Sequence, residues 1–246
     1  DEFTAKSSEG VQSMAFDVWN LVLIIVGVYA GFSVFQSDST KGKAVSFAVL
    51  AAVVGALVYK AMHVSGSVAV SAPIFQQFNP FYVVALTPVS LALFGALAKR
   101  GKEPSAPRKI AYGMLVAAIG FAVMAIGSVG LLTPDAQKAA IDAGAEPALV
   151  SPNWLISTYL VLTFAELLLS PMGISFVSKV APPKLKGLMM GGWFVATAIG
   201  NLLVAVGGFL WAGLPLWSVW TVFIVLCLLS ALFMFVMMKR LESVTK

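Results

Sequence analysis

The 246 residues are 59% hydrophobic and only 11% charged, with a mean hydropathy of +0.93. Water-soluble domains are roughly 45 to 50% apolar and about 25% charged, so this composition leaves too little polar surface to cover a soluble body. The net charge of +5 comes from lysines and arginines in short loops between apolar runs, which is a topology signal and not the footprint of a nucleic-acid partner.

Residues 1–16 form a polar N-terminal segment that begins at Asp1 without Met, and Asp1–Gly10 carries neither a basic nor an apolar leader pattern. The expectation is that something upstream has been removed. Seven apolar segments follow, at 17–35, 44–62, 71–98, 110–132, 153–178, 187–211 and 216–238. Each is long enough to cross a hydrocarbon core of roughly 30 Å as a helix, so the fold class is an all-α integral membrane protein in a lipid bilayer. The first two segments, within 17–62, read as a two-helix hairpin. The other five read as a bundle over 71–246.

The connections between the last five segments alternate in charge. Lys99, Arg100, Lys102, Arg108 and Lys109 follow the third segment, while the loop 133–152 carries Asp135, Asp142 and Glu146 against one lysine. Lys179, Lys184 and Lys186 come next, then an uncharged turn at 212–215, then Lys239, Arg240 and Lys246. By the positive-inside rule the basic loops and the C-terminus are cytoplasmic, and Trp154, Trp211, Trp217 and Trp220 fall near the outer ends, as indole belts do. Lys41 and Lys43 against Asp38 are too small a bias to orient the first hairpin. The stretch 99–109, with Pro104 and Pro107, reads as a short stiff linker, and residues 181–183 stop the fifth segment.

A single cysteine, Cys227, excludes an intrachain disulfide or a cysteine metal cluster. A single histidine, His63, excludes histidine metal sites and a Ser/His/Asp triad, and reads as a loop or interface residue. No metal site, no cofactor and no catalytic group are expected. With no nucleotide loop and no nucleophile-base pair, an enzyme is the weakest reading.

Glu166 stands out, thirteen residues into a 26-residue apolar segment. A carboxylate at that depth costs about 2.5 to 3.5 kcal/mol on insertion scales and is a functional hypothesis by default. Tyr159, Thr163, Glu166, Ser170 and Gly173 follow one another at offsets of four, three, four and three, so they share a helix face. Such a stripe lines a cavity or a packed interface. Pro171 removes one backbone hydrogen bond and predicts a kink beside the carboxylate. The alternative is a protonated glutamate bonded between helices.

The third segment holds Gln76 and Gln77, then Asn79–Pro80 and Thr87–Pro88. From a start near Ser71, Asn79 lies roughly 12 Å in, and a polar, proline-interrupted helix at that depth suggests a substrate cavity. Ordinary interhelical hydrogen bonding by Asn79 is the other reading. In the sixth segment Gly187, Gly191, Gly192, Ala196 and Gly200 form overlapping small-xxx-small patterns that read as close helix packing. Trp193 and Asn201 share that segment, and Trp193 sits deeper than a belt residue.

Three stretches carry a resemblance: FAELLLSPMGISFVSKVAP at 164–182, GLMMGGWFVATAIGN at 187–201 and FQQFNP at 75–80. Together they resemble the tenth, eleventh and eighth helices of the proton-dependent oligopeptide transporters of the major facilitator superfamily, most closely bacterial members. Gln77 stands where that family commonly has serine. The resemblance covers 71–246, and residues 17–62 resemble the extra hairpin joining the family's two halves.

The resemblance implies a C-terminal helical bundle of a longer twelve-to-fourteen-helix chain, and proton-coupled symport of di- and tripeptides across the bacterial inner membrane. It further implies that Glu166 pairs with the peptide amino terminus, that Asn79 and Ser170 hydrogen-bond nearby, and that Trp193 lines the cavity. Tyr159, Thr163, Gln76 and Asn201 are the remaining candidate lining residues. The implied partners are small peptides, protons, the bilayer and an N-terminal helical half in the same or a second chain. The family's E-x-x-E-R motif does not occur in these residues, and 63–71 is too short for the family's seventh helix. The rival reading is a non-transporting membrane subunit that packs through the glycine-rich sixth segment.

Overall fold

The computed structural model describes residues 3–244, the side chain of Ala212 excepted. Asp1 and Lys246, invoked above at the two ends, lie outside the described residues. The described residues divide into two compact units, 3–103 and 104–244. Among the described residues, seven helical stretches are long and apolar enough to cross a membrane.

In the first unit, Asp17 opens α1 (Val18–Gln36), its carboxylate accepting the Trp19 N–H at 2.9 Å. That satisfies one of the donors a helix start leaves bare. After three residues α2 (Thr40–Met62) returns along α1. Val53 lies against Gly27, where a β-carbon would stand 3.2 Å from Val53 Cγ1, so the glycine lets the two helices close. Ser46 Oγ donates to Ser33 Oγ at 3.0 Å near the turn, and Lys60 Nζ bonds Asp17 Oδ2 at 3.0 Å and Asn20 Oδ1 at 2.6 Å at the other end.

The hairpin thereby brings together two segments remote in sequence. Ser7–Glu9 (β1) pairs antiparallel with Ser67–Ala69 (β2), in the register Ser7 to Ala69 and Glu9 to Ser67. This small sheet is an addition to the all-α expectation. A 3-10 turn at Gly10–Phe16 carries Phe16 into an edge-on cluster with Phe75 and Phe78, all three buried.

A second 3-10 turn, Ala72–Gln77, leads into α3 (Phe78–Lys99). Pro80 stands in its first turn, where a missing N–H costs nothing, and the helix runs on through Pro88. The expected interruption of this segment is therefore a 3-10 to α transition ahead of Asn79. The expectation grouped this helix with the later ones; within this chain α3 packs on α1.

In the second unit, α4 (Ala106–Gly127) lies against both α6 (Asn153–Val180) and α8 (Leu216–Ser243). Ser105 precedes α4 and donates to Glu242 Oε1 of α8 at 2.6 Å, while Arg108 Nε sits 2.7 Å from the same carboxylate. The linker is accordingly shorter than read from the sequence, since Pro107 to Lys109 belong to the first turn of α4. At its other end α4 stops at Gly127, five residues before the expected limit at 132. There the Ser128 N–H and hydroxyl both turn back to Met124 O, and Gly130 takes a φ of +84°.

The loop 133–152 holds an unforeseen helix, α5 (Pro134–Asp142). Thr133 Oγ1 accepts the Ala136 N–H, Pro134 occupies the first helical position and Asp135 the first turn. α6 ends at Val180, ahead of the expected stop. It is helical without a break through Pro171, so the proline does not divide it. α7 (Lys186–Gly213) is the least covered helix, with none of its apolar window buried in the chain.

Close packing in this unit uses glycines the sequence reading passed over. A β-carbon at Gly120 would stand 2.7 Å from Leu162 Cδ2, one at Gly127 would stand 2.7 Å from the Trp154 ring, and one at Gly113 would stand 3.0 Å from the Ala165 carbonyl oxygen. Gly187, Gly191, Gly192 and Gly200 of α7 meet nothing within 4 Å. Among the described residues that face of α7 has no neighbour.

Candidate functional site

Glu166 is the fourteenth of the 28 residues of α6, at the middle of a helix about 42 Å long. Its side chain is exposed in the chain, while Ala165 and Leu168, on the adjoining side, are buried against α4. The five stripe residues divide by environment. Thr163 and Gly173 are buried, Tyr159 and Ser170 are half-buried, and Glu166 is exposed. Thr163 is fully enclosed, so it packs here instead of lining open space.

α7 meets this stripe at Gly173. The Trp193 indole lies directly over Gly173, so Trp193 and the Glu166–Ser170–Gly173 face come together at the α6–α7 junction. Trp193 is half-buried while Gly192 and Phe194 on either side of it are exposed. Thr197 Oγ1 donates to the Trp193 carbonyl at 2.9 Å, one turn on. Asn201, two turns beyond Trp193, is exposed.

Asn79 and Gln76 belong to the first unit. Asn79 is half-buried at the second position of α3, and Gln76 is exposed in the 3-10 turn before it. Adjacent Gln77 has its Nε2 buried without a hydrogen-bond partner.

Two open hollows lie away from these residues. A cavity of about 370 Å³ in the first unit is bordered by Asp17, Asn20, Tyr59, Lys60 and His63, and another of about 420 Å³ by Val123, Asn153, Trp154 and Ser157. None of the candidate residues borders either one. His63, at the C-terminal end of α2, packs against Tyr59 with the rings tilted and their centres 4.3 Å apart. Burial on its own pushes the Asp17 carboxyl up, but the Lys60 hydrogen bond, the Trp19 N–H and the Lys60 charge outweigh it and hold it below its ordinary value. Among the described residues no cluster of metal-ligating side chains occurs.

Trp211 and Trp220, assigned to an outer belt, also pack. Trp211 meets Trp220 edge-on at 5.8 Å, and Phe121 stacks with Trp220 and Phe223.

A model of the POT family matches residues 46–208, about two thirds of the chain. The chain belongs to the POT family. All eight candidate residues lie inside the matched span. A peptide transporter from Yersinia enterocolitica, YePEPT, is 35% identical over 178 residues, covering 70% of this chain and 33% of its own length. Dipeptide and tripeptide permease A of Citrobacter koseri is 28% identical over 209 residues, 80% of this chain and 38% of the permease. The chain thus spans little more than a third of these relatives.

The crystal structure of a peptide transporter POT in complex with sulfate shares the fold, with a TM-score of 0.60 at 22% identity over 97% of this chain and 42% of that one. A POT structure in complex with alafosfalin matches with a TM-score of 0.56 at 24% identity, over 100% and 44%. The POT family fold, with its membrane-spanning helices, agrees with the class read from composition.

Proposed function

We propose that this chain supplies the peptide-binding bundle of a bacterial proton-coupled symporter that imports di- and tripeptides across the inner membrane, with its C-terminus cytoplasmic. The carrying observation is Glu166, a carboxylate at the midpoint of a spanning helix on a face that α4 leaves uncovered. Such a group is tolerated in a membrane when it lines an aqueous path or meets an opposite charge. An ammonium suits it, because the desolvation of each charge is offset only when the two meet.

In this reading Glu166 takes the peptide amino terminus, Ser170 hydrogen-bonds beside it and Trp193 forms an apolar wall, with Tyr159 and Asn201 as secondary lining residues of the same unit. Asn79 and Gln76, in the first unit, are candidate peptide contacts on their own helix. Alternating access needs two bundles moving about a shared site. The relatives named above are about three times the length covered here, and helices of that extra length would complete the path. The activity proposed is a transporter's, not an enzyme's, with protons as the coupling ion and no cofactor.

The test is Glu166→Gln in the complete protein. Uptake of a dipeptide driven by an inward proton gradient should fall by about tenfold or more, as expected when one partner of a desolvated charge pair is removed, while membrane insertion stays intact. Unchanged uptake would remove Glu166 from the site. A packing subunit would tolerate Asn79→Ala and Ser170→Ala and fail with bulk at Gly192 or Gly200, the reverse of the expected pattern.

A further inference from the structure

Most of α7 is uncovered, and two of its contacts share one device, an aromatic ring entering the space a glycine leaves. At one end Phe223 of α8 enters at Gly207, where a β-carbon would stand 2.8 Å from Cζ. At the level of the stripe, the Trp193 indole of α7 enters at Gly173 of α6. A β-carbon at Gly173 would overlap Trp193 Cη2 outright and stand 2.6 Å from Cζ2 and 2.8 Å from Cζ3. Real β-carbons do not approach a ring so closely, and an indole is rigid, so any side chain at 173 moves the ring or the helix.

The position of this notch gives it consequence. Gly173 is buried one turn beyond Ser170 and seven residues beyond Glu166, about 10 Å along the axis. An extended chain covers at most about 3.3 to 3.6 Å per residue, so 10 Å from an anchored amino terminus is on the scale of three residues.

We infer that Gly173 is a positioning residue: by lacking a side chain it lets Trp193 retract against α6, and the depth of that retraction sets the room left for the far end of a bound peptide. This rests on the peptide-transport reading, which it deepens to substrate length. Gly173→Ala pushes the indole off α6 into that room. The longer substrate loses most, because the clash falls at its far end and a shorter one stops before it.

The experiment measures uptake kcat/KM for a dipeptide and a tripeptide in the complete protein, with Gly173→Ala made alone and in a Trp193→Leu background. Alone, Gly173→Ala should lower the ratio of tripeptide to dipeptide kcat/KM by about tenfold, the usual scale for a methyl-sized misfit. In the Trp193→Leu background the same change should leave the ratio within about twofold. An unchanged ratio in the first case, or an equal drop in both, overturns the inference. Fluorine NMR of fluorotryptophan-labelled protein adds a readout independent of transport, with the Trp193 resonance assigned by its loss in Trp193→Leu. A resonance that stays in place on Gly173→Ala overturns the positioning role. A resonance that moves in a protein showing no peptide uptake keeps the seating of the indole and overturns the functional reading on which substrate length depends.

Discussion

Two glycine-bearing faces of the second unit, similar on paper, behave in opposite ways. On α4, Gly113, Gly120 and Gly127 recur every seven residues and each lies under a group from α6: the Ala165 carbonyl, Leu162 and the Trp154 ring. On α7, Gly187, Gly191 and Gly200 meet nothing, and the helix buries none of its apolar window. In a bilayer, helices gain little by leaving lipid for one another, so association depends on close van der Waals fit, and small residues permit that fit without supplying it. A glycine pattern marks where a helix can approach. Whether one does depends on what stands opposite.

The sharpest way to break this contrast is to fill both faces. Gly120→Val places methyl groups inside the Leu162 contact and should cost about 2 to 3 kcal/mol, the range for overpacking a closed interface. Unfolding of the purified 246-residue chain in detergent measures it. Gly200→Val in the same chain should fall within about 0.5 kcal/mol of the parent, as at an uncrowded surface. Equal losses at the two positions would end the distinction.

Glu242→Gln tests whether α8 is held to α4 by charge as well as by fit, since Glu242 receives both Ser105 Oγ and Arg108. With Arg108 half exposed, about 0.5 to 1 kcal/mol is expected, shrinking as salt rises. A loss that salt does not reduce would assign the contact to packing.

The smallest effect belongs to the first unit, where Lys60 bonds Asp17 across the hairpin and both side chains remain about two-fifths exposed. The folded Asp17 pKa lies below its ordinary 3.8. A lowered native pKa gives stability that is present above the unfolded value and lost as pH falls through the native one. The bridge should therefore be intact at neutral pH and fade below about pH 4, contributing no more than roughly 1 kcal/mol. Asp17→Asn should remove that part of the acid sensitivity, read as hydrogen exchange at the hairpin end. The same acid profile in both proteins would dismiss the bridge as a contributor.

Much of the fold was legible in the chain because spanning helices announce themselves locally. The bilayer thickness sets their length, and the fifth segment was placed to within two residues of α6. The fourth was placed less well at both ends, because its limits are set by Ser105 meeting Glu242 far along the sequence and by Ser128 turning back on Met124. α5 had a readable start in Thr133, Pro134 and Asp135, but nine residues are too few for a periodicity to show. The strand pair was not legible, since Ser7–Glu9 and Ser67–Ala69 acquire a partner only once α1 and α2 pack.

For the candidate site, Glu166 and its stripe followed from composition and the 3.6-residue period, which are properties of one helix. Division of that stripe into a buried Thr163, an exposed Glu166 and a notch at Gly173 did not follow, because each depends on which neighbouring helix stands opposite. The sequence by itself determined the class, the seven spanning segments and the depth of the carboxylate, since transfer from water to lipid acts residue by residue along a continuous run. Only the tertiary structure decided which glycines are contacts and which ring fills Gly173, because close fit is a property of two surfaces and neither one encodes it alone.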